Sequence, residues 1–288
     1  AEALLRVPDA ETADALIEDK LGGADWATHL GKSASFFANV STWGLMITGK
    51  VVTLDAGNPE EPAGMIAKMV DRVSEPVIRE AMKQAMKIMG KHFVLGRNIR
   101  EALKRSQTYR AKGASFSFDM LGEAALTGED AQKYFGDYER AIKAIGSDTY
   151  KGTSKRPTTI SIKLSALHPR YEVAQTARVM SELFDRVLQL AQLARSLGVG
   201  INIDAEEADR LELSLKLFEA LYSHPSIAGW GEFGVVVQAY SKRALPALAW
   251  LASLAKHQGD CIPIRLVKGA YWDAEIKHSQ QGGFDGYP

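Results

Sequence analysis

The stretch Ile264 to Asp273 reads IRLVKGAYWD and crowds an Arg, a Lys, a Gly, a Tyr and a Trp onto the end of an apolar run. Arg265 and Lys268 stand where an apolar side chain would be easier to bury. A cation there is costly unless it meets an anion or a polarised oxygen. The planar donor fork of Arg265 suits a carbonyl, a phosphate or a conjugated ring. Lys268 and the Gly269–Ala270 backbone suit a phosphate or a sugar, and Tyr271 and Trp272 suit the walls of a flat ligand. Together they point to a large conjugated cofactor rather than a small anion alone.

These residues need elements to hold them. From Gly113 onward, short β-type runs alternate with amphipathic helical ones, the pattern of a parallel sheet. The predicted strands are ASFSFDML, TISIKLSAL, VGINIDA, FGVVVQAY and IPIRLVKGAY. Thr127 to Asp130 has capping-box spacing for the helix that runs to about Gly146. Further helices are predicted over Val173–Gly198, Glu207–Tyr222 and Ala244–Lys256. Each strand ends in polar groups: Asp119 and Glu123; Lys163; Asp204, Glu206 and Glu207; Gln238 and Tyr240; then Arg265 to Trp272. Right-handed crossovers bring such ends to one edge, where sites form in barrels and in doubly wound sheets alike. Singly, each residue also fits a structural ion pair or a helix N-terminus that favours acids. Their coincidence on every strand favours a site.

The remaining sequence is helical in pattern. Asp9 and Ser74 can each start a helix, the second carrying a methionine-rich core face, and Asn98 can cap a third that ends near Gly113. DAGNPEEPAG, residues 55–64, reads as a linker or mobile loop. The expected division is therefore a helical region over 1–112 and an α/β region over 113–288. Ser33 to Val52 is interrupted by Asn39, Ser41, Thr42 and Lys50, which argues for a buried or amphipathic helix over a membrane span. The 35 basic and 35 acidic residues balance, so charge gives no reason to expect a nucleic-acid partner. The lone Cys261 excludes an internal disulfide and fits a reducing, cytoplasmic setting. No G-x-G-x-x-G follows the first strand, and no P-loop, G-x-S-x-G or metal-ligand spacing appears. His168, followed by Pro169, reads as a turn histidine before it reads as a base.

The blocks DMLGEAALT, SIKLSALHPRYE, NIDAEEADRLE, VVQAYSKR and IRLVKGAYWDAEIK occur in order, with LLRVPDAETADALI and WGLMITGK before them. In these the chain resembles the proline dehydrogenase domain of bacterial proline utilization A proteins, over nearly its whole length. The resemblance implies a distorted (β/α)8 barrel holding FAD, preceded by a helical region. It implies oxidation of L-proline to Δ1-pyrroline-5-carboxylate by hydride transfer to flavin N5, with a quinone as electron acceptor. A downstream aldehyde dehydrogenase module and a cytoplasmic location, alone or with peripheral contact at the inner membrane, belong to the same expectation.

By the same resemblance, Arg265 lies near flavin N5 and O4, and Gln238 bonds the pyrimidine edge. Val267, Lys268, Gly269, Ala270 and Trp272 line the rest of the FAD. Lys163 helps to hold the substrate carboxylate, Asp204 joins the polar network beside it, and Leu266 and Tyr271 pack around the proline ring. Asp119 and Glu123 lie on the loop after the first strand, with Glu123 suited to a gating ion pair. The family continues past the point where this sequence stops, at GFDGYP, with three more strands and a helix bearing paired arginines. The expectation is thus a piece of a longer chain, with an open barrel and without proline affinity of its own. Two alternatives stand on pattern alone: a five-stranded doubly wound module for a flavin or phosphate ligand, and an inactive scaffold within a larger protein.

Overall fold

A computed structural model describes Thr12, residues 94–150, 152–284 and residue 286. The helices expected from Asp9 and Ser74, the 33–52 stretch and the 55–64 linker lie outside the described residues. The chain divides into two compact units, Ala1–Gly96 and Arg97–Pro288.

The second unit opens with helix α1, Ile99–Arg110. The Asn98 side chain accepts from the Glu101 N–H at 3.0 Å and caps its first turn. Strand β1, Ser117–Asp119, leads to helix α2, Gly128–Gly146, whose start carries the complete Thr127–Asp130 capping box. Strand β2 is Thr159–Ile162. It ends earlier than alternation predicts, because Leu164–Leu167 coil into a short helix, α3, buried throughout. The helix expected over Val173–Gly198 is interrupted: a 3₁₀ turn, Val173–Gln175, a helical turn, Thr176–Arg178, and a π-helical turn, Val179–Leu183, precede α4, Phe184–Ser196. Then follow β3 Gly200–Ile203, α5 Leu211–Tyr222, β4 Phe233–Gln238, α6 Ala244–Gln258, β5 Ile264–Val267 and α7 Trp272–Gln281.

All five strands are parallel and lie in the order β1-β2-β3-β4-β5. A doubly wound sheet reverses its strand order at a switch point. This sheet does not, so the doubly wound alternative is set aside. With every crossover in one direction and of one hand, the helices share one face of the sheet. That face is apolar: Phe118, Ile160, Ile162, Ile201, Ile203, Phe233, Val235 and Val237 are all buried. Burying a side chain of this size contributes roughly 1.5–3 kcal/mol. Residues at the alternate positions point to the other face, and those are largely polar.

His168 is a structural residue. It is 2% exposed, its Nδ1 accepts from the Arg170 N–H at 3.1 Å, and its Nε2 faces Glu182 at 3.2 Å. A proton on Nδ1 would set a donor against a donor. Burial holds the imidazole below its ordinary value, although Glu182 opposes the shift. The unfolded chain therefore binds this proton more readily than the folded one. The contribution of His168 to stability is complete above the unfolded value of 6.5 and is lost as pH falls below it. Melting temperatures from pH 8 to 5 check this: His168→Gln should flatten the acid side of the profile, and an unaltered slope would assign that slope to other groups.

Candidate active site

The polar face of the sheet holds two layers. The upper one lies at the carboxyl ends of the strands. Lys163 follows β2 directly, and its backbone N–H donates to the Tyr138 hydroxyl at 3.1 Å. Its ammonium reaches Asp204, after β3, at 2.5 Å and Asp119, at the end of β1, at 3.3 Å. The Asp204 N–H donates to the Ile162 carbonyl at 2.9 Å, so the β2–β3 ladder itself fixes the spacing of the Lys163–Asp204 pair. Burial alone would depress Lys163, but the hydrogen bond and charge of Asp204, joined by Asp119, outweigh it and hold the ammonium above its ordinary value. An anionic partner is what the lone Lys in an apolar strand required. The structure supplies it from two neighbouring strands, not from substrate alone.

The lower layer draws its polar groups from β1, β2, β3 and β5. Arg265 Nη1 donates to the Ser161 hydroxyl and lies 3.5 Å from the Ser117 hydroxyl. Asn202 Nδ2 donates to Thr159 Oγ1 at 2.9 Å and to Ser117 Oγ at 3.3 Å. On β4 the layer has Gly234, and the space is needed: a Cβ there would lie 2.6 Å from Asn202 Oδ1 and 2.5 Å from the Pro263 carbonyl oxygen.

Around these layers lie the other residues singled out in the sequence. Gln238 pairs in register with Val267, on the same face as Arg265. Its Nε2 donates to the Glu206 carbonyl at 2.8 Å, and its Oε1 accepts from the Ala270 N–H at 3.2 Å. Gly269 has φ +112, and a Cβ would come within 2.2 Å of the Tyr240 ring, so only glycine fits this turn. The Tyr240 and Trp272 rings meet edge to face with centroids 5.4 Å apart. Burial pushes the Tyr271 phenol up; the Glu123, Glu206 and Glu207 carboxylates add to the shift and Lys163 opposes it. Tyr271 therefore shares the electrostatic field of the Lys163 cluster.

Three residues are not brought in. Leu266 pairs with Val237, on the helix-side face opposite Arg265, and is 59% exposed. Strand alternation sends its side chain to the face opposite Arg265. The Lys268 side chain is exposed, and only its carbonyl, accepting from the Tyr240 N–H at 3.3 Å, is engaged among the described contacts. Glu123 is exposed and forms no ion pair among the described residues. Reading the sequence by strand ends missed Ser117, Thr159, Ser161 and Asn202. The signal was present, since Ser161 shares the parity of Lys163 and opposes Ile160 and Ile162.

The family model described as proline dehydrogenase matches residues 102–288. The chain belongs to the proline dehydrogenase family. Among curated relatives, it is 50% identical over 289 residues to "Bifunctional protein PutA" of Klebsiella aerogenes and of Escherichia coli, covering 100% of this chain and 22% of each of those proteins. The chain thus spans about a fifth of the length of those curated relatives. It is also 26% identical over 182 residues to "Proline dehydrogenase 1" of Bacillus subtilis, covering 63% of this chain and 52% of that one. Among solved structures, a mutant of proline utilization A of Bradyrhizobium japonicum is similar at 47% identity and TM-score 0.65, covering 100% of this chain and 28% of that one. A Bdellovibrio bacteriovorus counterpart, at 23% identity and TM-score 0.67 over 88% of this chain and 31% of its own, shares the fold.

The proline dehydrogenase match does not reach the N-terminus. A second family model, described as the DNA-binding domain of proline dehydrogenase, matches residues 1–93. This corrects the expectation of no nucleic-acid partner. A balanced total charge describes the whole chain and cannot exclude a role for one region of it. Within the matched span, Arg79, Lys83, Lys87 and Lys91 are basic residues at intervals of four. Among the described residues, no helix is long and apolar enough to cross a membrane.

Proposed function

We propose that residues 113–288 are the flavin-bearing part of a longer proline dehydrogenase that oxidises L-proline to Δ1-pyrroline-5-carboxylate. In this reading the five sequentially ordered strands are part of a (β/α)8 barrel, completed in a longer protein. The observation that carries it is the pairing of a Lys163–Asp204–Asp119 cluster with Arg265 and Gln238 on one face of that sheet.

The residues present suit FAD. Arg265 and Gln238 offer donors and an acceptor on adjacent strands, and the glycine-only turn at Gly269 brings the backbone of Ala270 up to Gln238. Arg265, Gln238, Val267, Lys268, Gly269, Ala270 and Trp272 would hold it. FAD, when bound, supplies the two-electron acceptor for the hydride that leaves the proline ring. Arg265 sets a fixed positive charge on that face, which favours negative charge developing beside it. Lys163 has three ammonium donors, of which Asp204 and Asp119 engage two; the third remains for a substrate carboxylate. Asp204 and Asp119 outnumber Lys163 in charge, so the cluster also suits the secondary ammonium of proline. Tyr271, kept protonated, offers a neutral wall and a donor. Transfer of the electrons to a quinone, and a downstream aldehyde dehydrogenase module, rest on the family resemblance and on the relatives' description as bifunctional.

Incubation of the longer protein, with its barrel complete, with L-proline and an artificial electron acceptor tests this. Accumulation of Δ1-pyrroline-5-carboxylate is the expected result, and its absence from flavin-loaded protein would refute the assignment.

A further inference from the structure

The mechanism uses Arg265 but leaves unexplained what aims it. Arg265 is a long side chain on β5, and Ile264 and Leu266 on either side of it point to the opposite face of the sheet, so they do not pack against it. The described fixed contacts of its guanidinium are the hydroxyls of Ser161 and, more distantly, Ser117, contributed by strands β2 and β1.

Ser161 is fully buried at 0% exposure and faces the polar layer between Asp119 and Asn202 in register. Its hydroxyl lies 3.4 Å from that of Ser117, which in turn accepts from Asn202. Asn202 is 4% exposed and spends both amide protons on Thr159 and Ser117. Its seat depends on the missing side chain of Gly234. A chain of contacts thus runs through β1, β2 and β3 and ends on the Arg265 guanidinium of β5.

We infer that Ser161 is a positioning residue for Arg265, with Ser117 and Asn202 as its supports. Ser161 touches no reacting atom in this scheme. It accepts one guanidinium N–H and so selects the orientation in which the remaining donors face the site. A buried hydroxyl without a partner is unfavourable, so the pair is mutually selecting. The inference deepens the proposed function and rests on it only for the catalytic consequence of aiming Arg265.

The test is a cycle of Ser161→Ala, Arg265→Met and the double variant in the full chain, followed by two readouts. The first is the ¹⁵N signal of the Arg265 guanidinium, identified by its loss in Arg265→Met. In Ser161→Ala it should shift and exchange with water about tenfold faster, the effect of one lost net hydrogen bond. The second is flavin reduction by proline: Ser161→Ala should slow it about tenfold at saturating proline with KM little changed, and should add nothing in the Arg265→Met background. An unchanged guanidinium signal, or an equal rate loss in both backgrounds, overturns the positioning role. If Ser161→Ala does not fold, Ser161→Cys keeps the volume with only a weak acceptor and carries the same test. The guanidinium readout needs no turnover, so it separates this inference from the proposed function, which falls if the unaltered protein leaves its flavin oxidised in the presence of proline.

Discussion

Arg265→Met is expected to slow flavin reduction by L-proline on the order of a hundredfold, the typical cost of one lost charge-stabilising donor. Flavin retention should fall much less, because Gln238 and the Val267–Trp272 segment keep their places without it. The structure gives a reason for that split. The backbone at Ala270 is tied to Gln238 and the Gly269 turn is wedged against Tyr240, and neither contact involves the guanidinium. Methionine fills the aliphatic stem but cannot bond the Ser161 hydroxyl. Stopped-flow reduction beside flavin content checks the prediction. A normal rate would remove Arg265 from the site, and a parallel loss of flavin would make it a cofactor anchor.

Lys163→Met is expected to be the most destabilising single change in the site. The Lys163 and Asp204 side chains are only 14% and 16% exposed. Removing the ammonium leaves two carboxylates facing each other across the gap it filled. Breaking a buried pair by deleting one partner costs roughly 3–5 kcal/mol, and the upper end does not apply here because Asp119 is 48% exposed and can turn to water. The companion Asp204→Asn should cost less, since Asn still accepts from the ammonium and Asp119 still balances its charge. In denaturant unfolding, Lys163→Met should shift the midpoint strongly without changing the slope. A neutral outcome would mean that the cluster is solvated and that Lys163 serves substrate alone. In the folded fraction, a raised KM for proline would show that the third ammonium donor reaches the substrate.

What could be read from the sequence follows from how local each signal is. Helix α2 was legible because its capping box, Thr127 to Asp130, and its apolar spacing are local. Strand β2 was legible from Ile160 and Ile162 but was extended too far, since Leu164 keeps the alternation while the backbone has already turned into α3. The π-helical turn at Val179–Leu183 leaves no mark in the pattern, because both sides of it remain amphipathic. Strand order could not be read at all: alternating strands and helices suit a barrel and a doubly wound sheet equally. Only the hydrogen-bond ladder between neighbouring strands distinguishes the two.

The site divides in the same way. That Lys163 needs an anion is a local deduction from one cation in an apolar strand. That the anions are Asp204 and Asp119 depends on which strands lie beside β2. Leu266 differs for a simpler reason: a resemblance to a motif assigns residues by position, whereas a strand sends Arg265 and Leu266 to opposite faces. Ser161 escaped notice because a serine in a strand is unremarkable until a guanidinium from a strand far along the chain is found on it.

Anaerobic addition of L-proline to the purified longer protein, with its barrel complete, followed by its visible spectrum, tests the central claim most directly. The account predicts a flavin absorption band that bleaches with proline and stays unbleached with D-proline. A bound flavin that remains oxidised at saturating L-proline would contradict it.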